Sequence, residues 1–301
     1  MKKLKAWVVA ARLRTLPLSL SGIFTGTALA NHLGANDAVI FLYCALITIG
    51  FQITSNFAND FGDGIKGTDS DDRIGPKRAL QSGLLTPKEL KIGIAVTAIL
   101  SLLLAIGLLV HVFGIEELPY FMLFLGLGVF SIWAAIKYTV GSSAYGYRGL
   151  GDVFVFIFFG LLAVLGSQFL YTKVFYVQSV LPAIAIGLLC VGVLNLNNLR
   201  DIISDKAHGK NTLVVKMGFK NGKFYHALLL VFSFVAFAYF AWQELQEWQF
   251  LFLLPYLVIG AHTARVLRTK EPVNLDPELK KLALSTFLLS FLLYLSVNYF
   301  L

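Results

Sequence analysis

Nine runs of apolar residues, each close to the length that a helix needs to cross a bilayer, dominate this sequence. Hydrophobic residues make up 57% of the 301 residues and charged residues only 14%, outside the usual range of soluble domains. The pattern predicts an all-α polytopic membrane protein, with nine transmembrane helices in a single domain, residues 1–301. The predicted spans are Leu16–Leu33, Ala38–Asn59, Ile92–Val112, Pro119–Tyr138, Asp152–Tyr171, Gln178–Leu196, Tyr225–Trp242, Gln249–Val266 and Leu282–Leu301.

The basic residues predict how these spans are oriented. If the N-terminus is cytoplasmic, every lysine and arginine except Lys173 falls in the N-terminal segment or in a loop after an even-numbered span. Cytoplasmic loops of membrane proteins carry this excess of Lys and Arg. The net charge of +8 is therefore explained by topology and does not indicate a nucleic-acid partner. We expect a multi-pass protein of the cell inner (cytoplasmic) membrane with its N-terminus inside.

Two polar stretches interrupt this apolar pattern, each at the cytoplasmic end of a predicted span. The first motif, residues 56–69, reads NFANDFGDGIKGTD, and the second motif, residues 195–209, reads NLNNLRDIISDKAHG. Each contains an Asn-x-x-x-Asp spacing, which places an amide and a carboxylate on one face of a helix. Carboxylates at the membrane end of a helix usually mark a functional site.

The carboxylates of the two motifs are candidate metal ligands. Four of them, Asp63, Asp69, Asp201 and Asp205, lie where like charges would repel each other unless a cation intervenes. Mg²⁺ is commonly held by a few carboxylates together with substrate phosphates. We therefore predict that the two motifs face each other and hold Mg²⁺ and a diphosphate between them.

Basic residues beside the carboxylates are candidate ligands of that diphosphate, although the topology alone would also place some of them there. Arg200 is the strongest candidate, because it lies between Asn198 and Asp201 and arginine suits bidentate phosphate contact. The complete set is Lys66, Arg73, Lys77, Arg78, Arg200, Lys206 and Lys210.

Aromatic residues in the loop after the fourth span allow two interpretations. Tyr145, Tyr147 and Arg148 precede a Gly-Leu-Gly-Asp sequence. The tyrosines could form an ordinary interfacial belt. They could equally stack on an aromatic substrate or face a carbocation. The sequence leaves both interpretations open.

The remaining titratable residues show no comparable pattern. The five histidines lack the spacing of a metal site. Glu278 is predicted to lie in a loop, either solvated or paired with a neighbouring Lys or Arg. We predict no functional site at these positions.

On these motifs the sequence resembles the UbiA-type superfamily of intramembrane aromatic prenyltransferases. The resemblance covers nearly the whole chain and is carried by RLRTLPLSLSG, NDFGDGIKGTDSDDRIGPKRALQSG, GYRGLGDVFVFIFFG and NNLRDIISDKAHGKNTLVVKMG. It implies nine transmembrane helices and two Asp-rich motifs that bind Mg²⁺ and a polyprenyl diphosphate. The residues that correspond to the superfamily's motifs are Asn59, Asp63, Asp69, Asn198, Arg200, Asp201 and Asp205.

Within the superfamily the sequence resembles the menaquinone branch. Asp69 follows Asp63 by six residues with Gly67 between them, whereas hydroxybenzoate-type enzymes have a shorter step. The resemblance implies transfer of a polyprenyl group to 1,4-dihydroxy-2-naphthoate, with loss of CO₂ and diphosphate, to give demethylmenaquinone. Asp63, Asp201 and Arg200 would be the catalytic residues.

Two alternatives stay open at this point. A related prenyltransferase with another acceptor, such as hydroxybenzoate, homogentisate or haem, would share all the diphosphate chemistry. A cation-coupled transporter could also use carboxylates within the membrane, but it would usually place them near the bilayer midplane on broken helices. The motifs lie instead at helix ends on one side, which disfavours the transporter.

Overall fold

The computed structural model describes residues 2–68, 74 and 77–298, and all regular secondary structure in these residues is helical. The longer helices are α1 (Lys2–Ala11), α2 (Leu16–His32), α3 (Ala38–Ile65), α4 (Pro87–Phe113), α5 (Leu118–Lys137), α6 (Gly151–Thr172), α7 (Val177–Arg200), α8 (Ile202–Ala207), α9 (Leu213–Glu244), α10 (Glu247–Arg268) and α11 (Pro272–Asn298). Two short 3₁₀ turns, Leu13–Thr15 and Tyr145–Arg148, lie in connections.

Eight of these helices, α3 to α7 and α9 to α11, are long and apolar enough to cross a membrane. The protein is therefore an all-α, multi-pass membrane protein, as predicted. Each predicted apolar run corresponds to one helix in the described residues, including the first run, which forms α2 with 17 residues. The predicted end of the last run at Leu301 lies outside the described residues. The count of nine spans and the cytoplasmic N-terminus stay predictions.

Helix α7 lies at the centre of the packing. It contacts α6, α9 and α11, and its side chains Ile186, Leu189, Leu196 and Leu199 are fully buried. A helix that is apolar on all faces is expected in such a central position. Because α7 ends at the second motif, this packing fixes where the motif lies.

Helices α6 and α7 approach each other closely at a pair of glycines. A Cβ atom added to Gly160 would lie only 2.5 Å from the Cα of Gly187. Small residues allow membrane helices to pack at this distance. Residues Phe156–Gly166 of α6 are π-helical, a form often found at functional sites.

Several predicted helix boundaries differ from the structure, and the largest difference is at α9, which begins at Leu213, twelve residues before the predicted Tyr225. Helix α3 continues past Asn59 through most of the first motif and ends at Ile65. The turn that follows contains Gly67, whose φ of +73° suits a glycine after a helix C-terminus. Helix α11 begins ten residues before the predicted Leu282, at Pro272.

The earlier start of α11 means that the prediction of a loop at Glu278 is wrong. The carboxylate lies inside the helix and is buried, with ion pairs to Lys281 and Arg265. Those partners compensate the buried charge of Glu278. The beginning of α11 can therefore contain charged residues and still pack inside the protein.

Candidate active site

Asp63 of the first motif is buried at the end of α3 and is held by groups from other segments. The hydroxyl of Tyr147 donates a hydrogen bond to its Oδ1 at 2.8 Å. The same hydroxyl lies 2.6 Å from Oγ1 of Thr68. Asn59, one turn earlier on α3, accepts a hydrogen bond from the Thr139 hydroxyl at 3.2 Å. The loop after α5 therefore positions the end of the first motif.

Lys210 links the two motifs. Its ammonium group lies 4.0 Å from Oδ2 of Asp63 and 3.8 Å from Oδ1 of Asp205. Burial favours the neutral amine, but attraction by both carboxylates outweighs it and raises the pKa of Lys210. One carboxylate from each motif thus faces a shared position that already contains a positive charge.

Tyr147 lies between two lysines at the same place. The ammonium groups of Lys66 and Lys210 lie 3.8 and 5.5 Å from the centre of its ring. Burial, and then the charge of Asp63, raises the pKa of the Tyr147 phenol and keeps the hydroxyl protonated. The tyrosine is therefore a hydrogen-bond donor to Asp63 and an aromatic surface for cations.

The second motif is arranged differently. Nε and Nη2 of Arg200 donate to Oδ1 and Oδ2 of Asp201 at 2.8 and 2.7 Å, which is a bidentate pair. Nη1 of Arg200 donates to Asp276 on α11 at 2.7 Å. The Arg200 side chain is 3% exposed. Its guanidinium group is thus directed at two carboxylates of the protein itself.

The other sequence candidates occupy several environments. Arg78 lies 3.7 Å from Asp60, and Asn198 is buried in α7. Tyr145 stacks on Phe154 with 3.9 Å between ring centres. Lys66, Arg148 and Lys206 are exposed at this end of the bundle, and Asp69 and Arg73 lie outside the described residues.

Arg12 and Asp60 form a buried ion pair that the sequence analysis did not select. Asp60 is 1% exposed and also accepts a hydrogen bond from the Ala79 amide at 3.3 Å. Arg12 adopts a left-handed backbone conformation with φ of +49°, which is uncommon for a residue other than glycine. The available signal was its place in RLRTLPLSLSG, one of the segments that carry the family resemblance.

A cavity of about 400 Å³ begins beside these residues and continues into the bundle. Arg12, Gln52, Asn56, Asn59 and Asn197 line its end near the motifs. Deeper residues are mainly apolar, among them Ile23, Ile47, Phe51, Leu108, Phe159 and Leu170. An apolar cavity with a few convergent polar groups is typical of a small-molecule site.

The donor set around Lys210 fits Mg²⁺. Among the residues that the structure describes, no three His, Cys, Asp or Glu side chains form a metal cage by themselves. Mg²⁺ rarely uses such a cage and is usually bound by one or two carboxylates, water and substrate phosphates. Asp63 and Asp205 provide hard oxygen donors around a position that already attracts a cation.

A family profile and two similar bacterial proteins all point to prenyltransferases. The profile of the UbiA prenyltransferase family matches residues 19–292. The chain is 43% identical to 1,4-dihydroxy-2-naphthoate octaprenyltransferase of Haemophilus influenzae, over 98% of this chain and 96% of the relative. It is 44% identical to the Escherichia coli protein of that name, over 97% of this chain and 95% of the relative.

Solved structures agree at the level of the fold. A UbiA homologue from Archaeoglobus fulgidus, bound to DMAPP and Mg²⁺, superposes with a TM-score of 0.68 at 15% sequence identity. The superposition covers 99% of this chain and 100% of the homologue. With the profile match over most of the sequence, these likenesses lead to one conclusion: the chain belongs to the UbiA prenyltransferase family.

Proposed function

We propose that this protein is a Mg²⁺-dependent aromatic prenyltransferase of menaquinone biosynthesis in the cell inner (cytoplasmic) membrane. It transfers a polyprenyl group from polyprenyl diphosphate to 1,4-dihydroxy-2-naphthoate, with loss of CO₂ and diphosphate, and gives demethylmenaquinone, formed at the quinol level. The observation that carries this proposal is the identity of 43% and 44%, over nearly the full chain, to relatives named for that reaction.

In this proposal Asp63, Asp69, Asp201 and Asp205 hold Mg²⁺. When bound, the ion would neutralise the diphosphate and act as a Lewis acid on the leaving group. Asn59, Asn198 and the basic residues Lys66, Arg73, Arg78, Arg148 and Lys206 bind the diphosphate, together with Lys210. The support from geometry is that Lys210 lies within 4.0 Å of a carboxylate from each motif.

The neighbouring cavity suits the rest of the reaction. The allylic C–O bond breaks, and its electron pair leaves with the diphosphate. Tyr147 donates to Asp63 and presents its ring to two cations, so it can also face the allylic cation. Tyr145 belongs to the cavity wall, where the prenyl chain or the aromatic acceptor can pack.

The acceptor then attacks through the carbon that carries its carboxylate. The new C–C bond forms there, and the bond to the carboxylate breaks, so that CO₂ leaves and the ring regains aromaticity. The apolar cavity excludes water, which would otherwise capture the allylic cation. Burial of each prenyl methylene contributes about 0.8 kcal/mol to binding.

The test is a prenylation assay in membranes that contain the protein, Mg²⁺ and a labelled polyprenyl diphosphate. With 1,4-dihydroxy-2-naphthoate we expect CO₂ and prenylated product in equal amounts, and no product when EDTA removes the metal. 4-Hydroxybenzoate is attacked beside its hydroxyl and would release no CO₂. Turnover of hydroxybenzoate with naphthoate inert would contradict the proposed acceptor and leave the prenyltransferase chemistry standing.

A further inference from the structure

A chain of buried polar side chains lies behind the second motif. Nε2 of His226 on α9 and Nε2 of His262 on α10 are 3.0 Å apart. Nδ1 of His262 lies 2.7 Å from Oε2 of Glu278 on α11. The exposures of the three residues are 0%, 3% and 1%. Buried polar groups on three helices are thus joined in one hydrogen-bonded chain.

The carboxylate end gives this chain a direction. Lys281 and Arg265 pair with Oε1 of Glu278, so the carboxylate is an acceptor. His262 therefore donates from Nδ1, and its Nε2 accepts from Nε2–H of His226. The hydrogen-bonded chain therefore links α9, α10 and α11 through two directed contacts.

The hydrogen-bonded chain is related to α7 at both of its ends, directly through His226 and indirectly through the helix that carries Glu278. At one end His226 packs against α7, because a Cβ atom on Gly192 would lie 3.7 Å from Cε1 of His226. At the other end Glu278 lies two residues from Asp276, which binds Arg200. Helices α7, α9, α10 and α11 are therefore connected in a closed ring of contacts.

The hydrogen-bonded chain of His226, His262 and Glu278 is separate from the cavity. The residues of α7 that line the cavity are Cys190, Val193, Leu194 and Asn197, whereas Gly192 lies on another face. Among the residues that the structure describes, no group of three His, Cys, Asp or Glu side chains is arranged to hold a metal ion, and this includes His226, His262 and Glu278. Its geometry suits the support of a neighbouring element better than proton delivery to the substrate.

We propose that Asp276, on the helix that the Glu278–His262–His226 chain ties to α9 and α10, is a positioning residue that controls Mg²⁺ binding at Asp201 through Arg200. This proposal rests on the proposed function, in which Asp201 is a metal ligand. Partners that bind the ligands of a metal orient them and tune their affinity.

The charges explain why Asp276 is needed. Alone, the bidentate Arg200 would neutralise Asp201 and weaken its attraction for a cation. Asp276 shares the guanidinium group, so the three side chains carry a net negative charge while Asp201 stays fixed in orientation. Each Asp201 oxygen accepts one hydrogen bond from Arg200.

The test compares Asp276→Asn with Glu271→Gln, a control that removes one exposed carboxylate from the loop just before α11. Asp276 is 44% exposed, so the isosteric change should not impair folding. We expect Asp276→Asn to raise the Mg²⁺ concentration for half-maximal activity about tenfold or more, within the range known for such outer partners. Turnover at saturating Mg²⁺ should change little, and Asp276→Glu should restore the wild-type requirement.

A second measurement does not depend on the acceptor. The thermal stabilisation of the purified protein by Mg²⁺ with an unreactive prenyl thiodiphosphate should need more Mg²⁺ in Asp276→Asn and, to a smaller extent, in Glu278→Gln. If Mg²⁺ and the thiodiphosphate stabilise the wild type but the protein does not prenylate naphthoate, the proposed acceptor is wrong. The Mg²⁺ requirement of the variants can still be compared by thermal stability, so this inference is tested separately. Equal Mg²⁺ requirements for Asp276→Asn, Glu271→Gln and wild type would overturn it.

Discussion

The two motifs share a spacing in the sequence but are held by different means. Asp63 is contacted by residues from distant segments, a tyrosine hydroxyl and the Lys210 ammonium. Asp201 is held by its own neighbour, Arg200, in a buried bidentate pair. The partners of Asp63 also line the candidate site, whereas Arg200 is directed toward α11.

This difference separates two tasks. The contacts at Asp63 are single or long, with the lysine 4.0 Å away, so they can rearrange when substrate enters. A bidentate arginine–carboxylate pair is stronger and fixes geometry. We infer that the first motif adapts to the ligand while the second provides a rigid reference, and three groups of variants test this view.

The largest effect is expected when either motif loses its carboxylate. Asp63→Asn and Asp201→Asn keep the size of the side chain but remove its charge. Each should lower prenylation by about 100-fold or more at moderate Mg²⁺, since changes in outer partners alone reach 10- to 100-fold. Activity and thermal unfolding should be measured together, with Glu271→Gln as the control. Near-wild-type turnover of either variant at saturating Mg²⁺ would remove that residue from the metal site.

A smaller effect is expected at Tyr147, where only the hydroxyl group is removed. Tyr147→Phe loses the hydrogen bond to Asp63 but keeps the ring beside Lys66. A hydrogen bond to a charged group contributes about 1.5–3 kcal/mol, which corresponds to a fall in activity of roughly 10- to 150-fold. We expect the lower end of this range, because the carboxylate itself stays in place.

Tyr145→Phe is the matched control for that change. The Tyr145 hydroxyl donates to the carbonyl of Ala134 at 2.8 Å, away from the carboxylates. Its loss should affect the steady-state rate less than the loss of the Tyr147 hydroxyl. Equal rates for the two variants would indicate that the hydroxyl at Asp63 contributes nothing specific.

Much of the fold could be predicted from the sequence because bilayer thickness imposes a length on every apolar run. Each of the nine predicted runs corresponds to a helix in the described residues, and the differences lie in the positions of the helix ends. Glu278 shows why: its burial depends on His262, which lies 16 residues away on another helix.

The candidate site could be predicted in its residue types but not in its pairings. The spacing of the motifs predicted carboxylates on helix faces, and the structure brings Asp63 and Asp205 to one lysine. Which way Arg200 points depends on how α7 and α11 are rotated against each other. That rotation is set by packing over many side chains and is not encoded in any short motif.

The smallest effect is expected at Lys66, at the exposed edge of the first motif. Its ammonium group lies 3.8 Å from the centre of the Tyr147 ring and donates to the Thr139 carbonyl at 2.8 Å. An exposed cation–π contact contributes about 0.5–1 kcal/mol, so Lys66→Met should raise the KM for prenyl diphosphate by about two- to fivefold. The maximal rate should stay near that of the wild type, because the carboxylates and Lys210 are unchanged.

Lys91→Met is the control for Lys66, since Lys91 also lies over an aromatic ring, Phe61, at 5.3 Å. If the Lys66–Tyr147 contact affects substrate binding because it lies at the site, Lys91→Met should leave the KM for prenyl diphosphate unchanged. Lys210→Met should have a much larger effect than either, because it removes the charge between two buried carboxylates. Should Lys66→Met reduce the maximal rate as strongly as Lys210→Met, the first motif would be as rigid as the second. The contrast between an adaptable motif and a fixed one would then be wrong.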